Sequence, residues 1–271
     1  MPETKSPLTV HDLREMKHRG QRIVTLTCYD ALFARLLDES GVDVLLVGDS
    51  VNQVLAGAAT TLSATLDQMI YHATSVRRGT ERALVVCDMP FLTYQVSREE
   101  ALRNCGRVLA ESGCQAVKLE GGAPVADTVR ALVQAGIPVM GHLGLTPQSV
   151  NALGGYRVQG RDDESAARLR DDAKALEAAG AFAIALELIP ATLASQITRS
   201  LGIPTIGIGA GPACDGQVLV LHDMLGLNER FTAKFVKRYA GLAREVREAA
   251  TLFAADVREG RYPGPEHSVP Q

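Results

Sequence analysis

A set of polar residues with chemical potential closes a series of apolar runs. Asp49 and Ser50 end DVLLVGDS, Asp88 ends ALVVCD, Lys118 and Glu120 lie in AVKLEGG, His142 in IPVMGHLG, and Glu187 in FAIALELIP. Carboxylates gathered at one place repel one another, and burial adds to the preference for their neutral forms unless a cation compensates. Asp49, Asp88 and Glu120 offer oxygen alone, and no Cys or His cluster has zinc spacing. The expected ion is therefore Mg2+ or Mn2+, keeping water and open positions for a substrate. A lone Asp at a strand end is as often a cap or turn former; three at successive ends are harder to explain that way. Lys118 and Glu120 are two residues apart, so in a strand they share a face. Lys118 could then meet the oxygen of a bound carbonyl or carboxylate, the plainer alternative being an internal Lys–Glu ion pair. Glu187 sits where burial without a charged partner would favour proton abstraction, or else as a hydrogen-bonded core carboxylate. His142 reads equally as a proton carrier or substrate contact and as a structural histidine.

These residues need a scaffold that brings strand ends together. Eight runs recur at 23–30, 43–50, 83–90, 116–122, 137–144, 182–190, 203–211 and 217–224. They are apolar nearly throughout, as in a parallel sheet covered on both faces. Helical patterns lie between most of them. Ser97 with Glu100 reads as a capping box, as does Thr65 with Gln68, and Gly113 reads as a left-handed stop. Eight such units predict an α/β fold of the (β/α)8 type, a TIM barrel, in which reactive groups sit at strand C-termini. VHDLREMKHRG predicts a short N-terminal helix plugging the lower end. The chain reads as a single domain over 1–271, with a C-terminal helical extension at 228–260 and a mobile tail at 261–271. The glycine turn GIGAGP (Gly207, Gly209, Gly211) could present amides to an anion, but close packing of loops explains it better.

Composition narrows the partners. The 271 residues carry 28 Lys and Arg against 31 Asp and Glu, net charge −3, which argues against a nucleic-acid binder. No apolar run approaches the roughly 18–20 residues of a membrane span, and the N-terminus lacks a secretory pattern. The five Cys are odd in number and form no CxxC, as expected of reduced thiols in a cytoplasmic protein.

VGDSVNQV, TLDQMIYHATSVRRG, CDMPFLTYQ, AVKLEGG, GIPVMGHLGLTPQSVNALGGYRVQG, GAFAIALELIP and IPTIGIGAGPACDGQVLVLHDMLGL together resemble the ketopantoate hydroxymethyltransferase family, from about Leu8 to Tyr239. The resemblance implies a Mg2+-dependent barrel enzyme of pantothenate biosynthesis, moving a hydroxymethyl group from 5,10-methylenetetrahydrofolate to 3-methyl-2-oxobutanoate to give 2-dehydropantoate. It implies Asp49, Asp88 and Glu120 at the metal, Asp49, Ser50, Asp88 and Lys118 at the oxo acid, and Glu187 as proton acceptor. It also implies a homo-oligomer, commonly a decamer of two stacked pentamers. Asn52 stands where Gly is common, and AGAATTLSA differs from the usual loop. The rival on the same scaffold is a C–C lyase or mutase of the phosphoenolpyruvate mutase and isocitrate lyase type, which usually carries a Cys in a KKCGH-like loop absent here. The other alternative is a non-catalytic metal- or metabolite-binding barrel.

Overall fold

The computed structural model describes residues 6–229 and 233–269. The order is α1 (Val10–His18), β1 (Ile23–Thr27), α2 (Ala31–Glu39), β2 (Val44–Val47), α3 (Val51–Val54), α4 (Leu66–Arg78), β3 (Leu84–Asp88), α5 (Arg98–Ser112) and β4 (Ala116–Glu120). It continues through α6 (Ala123–Gln134), β5 (Val139–Gly144), α7 (Asp163–Ala178), β6 (Ala183–Glu187), α8 (Ala191–Ser200), β7 (Thr205–Ile208), β8 (Gly216–Leu219), α9 (Leu221–Met224) and α10 (Leu242–Arg258). The eight strands pair in sequence order, all parallel, and β8 closes on β1. The fold is the (β/α)8 barrel that the apolar runs predict. Residues up to Val220 form one compact unit and those from Leu221 a second.

Alternation along each strand decides what fills the barrel. Val44 and Leu46, Leu84 and Val86, with Ala116, Met140, Ala183 and Ile206, belong to one buried apolar cluster. Leu13 of α1 is fully buried in that same cluster with Ile23 and Val44, the opening residues of their strands, so α1 seals the N-terminal floor as expected. A capping box between Thr9 and Asp12 starts this helix. Continuing the inward parity upward from Val86 gives Asp88, from Ala116 gives Lys118 and Glu120, from Met140 gives His142, and from Ala183 gives Glu187.

Several local expectations are modified. The Thr65–Gln68 box forms in full, but at Ser97 only the hydroxyl accepts, from the Glu100 N–H, and the Glu100 carboxylate does not return the bond. Gly113 ends α5 at φ 73°, as expected. The eighth run is not one strand: it divides into β8 and α9. No helix separates β7 from β8. The seven-residue connection 209–215 spans up to about 23 Å when extended, ample for a return along a four-residue strand. Within GIGAGP, a Cβ on Gly207 would lie 2.9 Å from Cys214 Sγ and one on Gly211 2.5 Å from Ala191 Cβ, which supports the packing explanation. In the expected extension the helix runs only from Leu242, and 233–241 is coil and turn. Phe235, Val236 and Tyr239 are poor helix formers, and the Tyr239 and Leu242 amides bond the Met224 and Leu225 carbonyls instead. Residues 230–232 of that extension and 270–271 of the tail lie outside the described residues.

Candidate active site

Strand register makes the site. Asp88 is the direct neighbour of Lys118 across β3 and β4, Glu120 of His142 across β4 and β5, and Gly144 of Glu187 across β5 and β6. All these side chains leave the C-terminal rim, where barrel folds carry chemistry. Lys118 Nζ lies 3.2 Å from Asp88 Oδ1 and 3.0 Å from His142 Nδ1. On its other side His142 places Nε2 3.1 Å from Glu187 Oε2, while Nδ1 is 3.4 Å from Glu120 Oε1. Asp49 joins from the turn after β2, its N–H donating to Asp88 Oδ2 at 3.1 Å. Ser50 follows, with Oγ 2.9 Å from the Tyr29 hydroxyl. The structure thus brings together every residue named from the sequence.

Two glycines permit this crowding. A Cβ on Gly48 would stand 2.7 Å from Ser50 Oγ, so a side chain there would push the Ser50 hydroxyl from its place. Gly144 has φ +92°, and a Cβ on it would meet the Glu187 carbonyl oxygen at 2.1 Å. Leu188 turns the chain off β6 directly after Glu187 at φ 46°, a left-handed conformation unfavourable for a branched side chain and typical of strained functional turns.

Burial and charge set the proton affinities. Asp49 and Asp88 are almost wholly buried. Burial pushes the Asp49 carboxyl well above the usual range, and the Asp88 and Glu120 charges add to the rise. Burial likewise raises Asp88, while the Lys118 ammonium acts against it. Lys118 is raised despite its burial because Asp88, Glu120 and Asp49 surround it, so it stays cationic. Glu120 goes the other way, the His142 bond and charge overcoming burial to lower it. Burial and Lys118 pull His142 down, but Glu120 and Glu187 outweigh them and push it up to about 9. Asp88 Oδ1, though near Lys118, has no aligned hydrogen-bond partner. Glu187 departs from expectation: its side chain keeps 16% exposure, and it faces His142, so it is not a carboxylate buried alone.

Sequence reading missed the residue that ties the rim together. Gln148, in the 3-10 turn 147–149 after β5, is buried and contacts the loops after β2 and β3 and the end of β4. Its Nε2 donates to Asp49 Oδ2 and to the Met89 carbonyl, each at 2.9 Å, and its main-chain N–H donates to Glu120 Oε2 at 3.0 Å. Buried Tyr94 sets its hydroxyl 2.9 Å from Gln148 Oε1 and accepts from the Glu120 N–H at 3.0 Å. The available signal was position: GLTPQS and PFLTYQ both follow strand ends, a few residues farther along than the polar residues inspected. Among the described residues, no group of three or more His, Cys, Asp or Glu is arranged to hold a metal.

Comparison with known proteins gives this rim a context. The sequence model described as Ketopantoate hydroxymethyltransferase matches residues 7–265. A 3-methyl-2-oxobutanoate hydroxymethyltransferase of Syntrophotalea carbinolica (strain DSM 2380 / NBRC 103641 / GraBd1) is 56% identical over 260 residues, covering 96% of this chain and 97% of the relative. Another so named, from Pelobacter propionicus (strain DSM 2379 / NBRC 103807 / OttBd1), is 54% identical over 268 residues and 99% of each chain. Among solved structures, a phosphoenolpyruvate phosphomutase from Streptomyces platensis subsp. rosaceus superposes with TM-score 0.64 at 16% identity, over 97% of this chain and 92% of that one. That likeness speaks to the barrel alone. The whole-length family match and the relatives above 50% identity speak to the chemistry: this chain belongs to the ketopantoate hydroxymethyltransferase family and is a transferase.

Proposed function

We propose that the enzyme transfers a hydroxymethyl group from 5,10-methylenetetrahydrofolate to 3-methyl-2-oxobutanoate, giving 2-dehydropantoate, with Mg2+ held at Asp49, Asp88 and Glu120. The observation that carries the metal assignment is the pair of buried carboxylates, Asp49 raised by burial and by the Asp88 and Glu120 charges, Asp88 raised by burial against the pull of Lys118, with Asp88 Oδ1 lacking an aligned hydrogen bond. The three candidate ligands offer oxygen alone, the donor type that Mg2+ takes, with water and substrate left to complete its shell. When bound, Mg2+ would polarise the oxo acid's carbonyl and offset the carboxylate charge.

The chain's own residues supply the rest. Lys118, cationic and fixed between Asp88 and His142, is placed to hold the negative charge that grows on the oxo oxygen as the C3 proton leaves. Glu187, partly exposed at the rim, accepts that proton. His142 sets Nε2 3.1 Å from that carboxylate and, raised to about 9, stands beside it as an imidazolium and not as a second base. Ser50, bonded to Tyr29, binds the substrate carboxylate. The carbon left nucleophilic then bonds the one-carbon unit as its two bonds to folate nitrogens break, water supplying the hydroxyl and tetrahydrofolate leaving. The lyase or mutase alternative loses ground because all five cysteines are buried, leaving no exposed thiol on a loop. Purified enzyme given both substrates and Mg2+ should form 2-dehydropantoate, and EDTA should abolish turnover until Mg2+ is restored. Undiminished turnover in EDTA would remove the metal from the proposal.

A further inference from the structure

Gln148 has no place in the steps above, yet it holds two of the three carboxylates at the rim. We infer that Gln148 is a positioning residue whose side-chain amide and main-chain N–H clamp Asp49 and Glu120 in the orientation in which the acidic cluster receives cation and oxo acid. This rests on the function proposed above.

The amide has one orientation available. The Met89 carbonyl can only accept, so the group facing it and Asp49 Oδ2 is the NH2, and both its hydrogens are used. Oε1 then meets the Tyr94 hydroxyl at 2.9 Å and Gln95 Nε2 at 3.2 Å. The amide is therefore saturated and locked from two sides. One consequence concerns Asp49: the clamp takes Oδ2 and leaves Oδ1 as the oxygen it does not hold. A second concerns Glu120, whose Oε2 is fixed by the main-chain N–H while Oε1 faces His142. One residue thus sets the distance between a carboxylate from the turn after β2 and one at the end of β4. It does so without adding charge, where a Glu would set oxygen against oxygen and a Lys would compete with the cation. Misplacement of catalytic groups by about 1 Å is enough to cost roughly a hundredfold in rate.

The test compares the full-length enzyme with Gln148→Met, similar in length but unable to hydrogen-bond, and Tyr94→Phe, which removes the hydroxyl that locks the amide and accepts from the Glu120 N–H. Mn2+ alone is titrated into metal-free protein and followed by electron paramagnetic resonance, beside kcat, KM and the thermal midpoint. For Gln148→Met the expected result is a Mn2+ dissociation constant raised tenfold or more and kcat lowered tenfold or more, in a protein whose midpoint shows it to be folded. Tyr94→Phe should move both in the same direction, about threefold. Mn2+ affinity and kcat within twofold of wild type in Gln148→Met would overturn the inference. If that variant does not fold, Tyr94→Phe with both values unchanged would overturn it. Should wild type bind no Mn2+, the metal reading fails separately. A crystal structure of Gln148→Met then decides: an Asp49 carboxylate turned from its wild-type rotamer supports the clamp, and an unmoved one refutes it.

Discussion

Without a divalent cation, the rim stores protons that the unfolded chain would release, and this predicts an unusual pH dependence of stability. The Asp49 carboxyl binds its proton more tightly in the folded chain than in the unfolded one. Its stabilising contribution is therefore complete below the ordinary carboxylate range and is lost as pH rises toward the raised folded value. His142, also raised in the folded chain to about 9, acts with the same sign above its ordinary 6.5. The lowered carboxyls Asp12, Glu120, Asp162 and Glu229 titrate mostly below pH 5 and oppose it little. One extra proton held by the folded state costs about 1.4 kcal/mol per pH unit, so metal-free enzyme should lose about 3 kcal/mol between pH 5 and pH 7. At roughly 2–4 °C per kcal/mol, the thermal midpoint should fall by about 6–12 °C. The assay is far-UV circular dichroism in EDTA at pH 5, 6 and 7, beside Asp49→Asn, which cannot titrate. The variant should lose at least half of the slope. Saturating Mg2+ should flatten the wild-type profile, because the ion binds the ionised form. Parallel slopes in wild type and Asp49→Asn, or stability rising with pH, would refute the reasoning.

Other outcomes follow from separate parts of the molecule. Leu13→Ala, at the sealed floor, should cost about 3 kcal/mol of stability and leave kcat within twofold, since Leu13 packs at the end opposite the rim; urea unfolding beside steady-state kinetics checks both. Native enzyme should take up no iodoacetamide at pH 8.5, because all five thiols are buried and burial raises each, Cys28 and Cys105 to about 12. Mass spectrometry should find five labels only after denaturation. If the oligomer implied by the family resemblance forms, sedimentation should give ten times the 28.9 kDa chain mass, and a sharp monomer peak would exclude it.

Much of this was legible because buried parallel strands leave a plain mark. Val44 to Val47 and Leu84 to Asp88 are buried at every position, and a run without alternation is what such a strand requires. Asp49, Asp88, Lys118, Glu120, His142 and Glu187 stood out because a polar residue closing such a run is conspicuous. Gln148 and Tyr94 were hidden for the opposite reason: they lie in loops where polar residues are ordinary, and only the closed barrel brings the loop after β5 over the end of β2. The divided eighth run had the same cause. VLVLHDM is apolar enough for one strand, but β8 stops at Leu219 and Leu221 begins a helical turn. The late start of α10 shows local alternation overridden when residues 239 and 242 bond to the turn at 224–225.

The central claim is that this rim makes the C3 proton of the oxo acid labile, with Glu187 receiving it. Exchange of that hydrogen for deuterium in D2O, followed by proton NMR with 3-methyl-2-oxobutanoate and Mg2+ but no folate, tests it directly. Wild-type enzyme should exchange the C3 position far faster than buffer alone, and Glu187→Gln should exchange it at least a hundredfold more slowly than wild type. Exchange at the wild-type rate in Glu187→Gln would contradict the assignment of the base, and none in wild type would contradict the account as a whole.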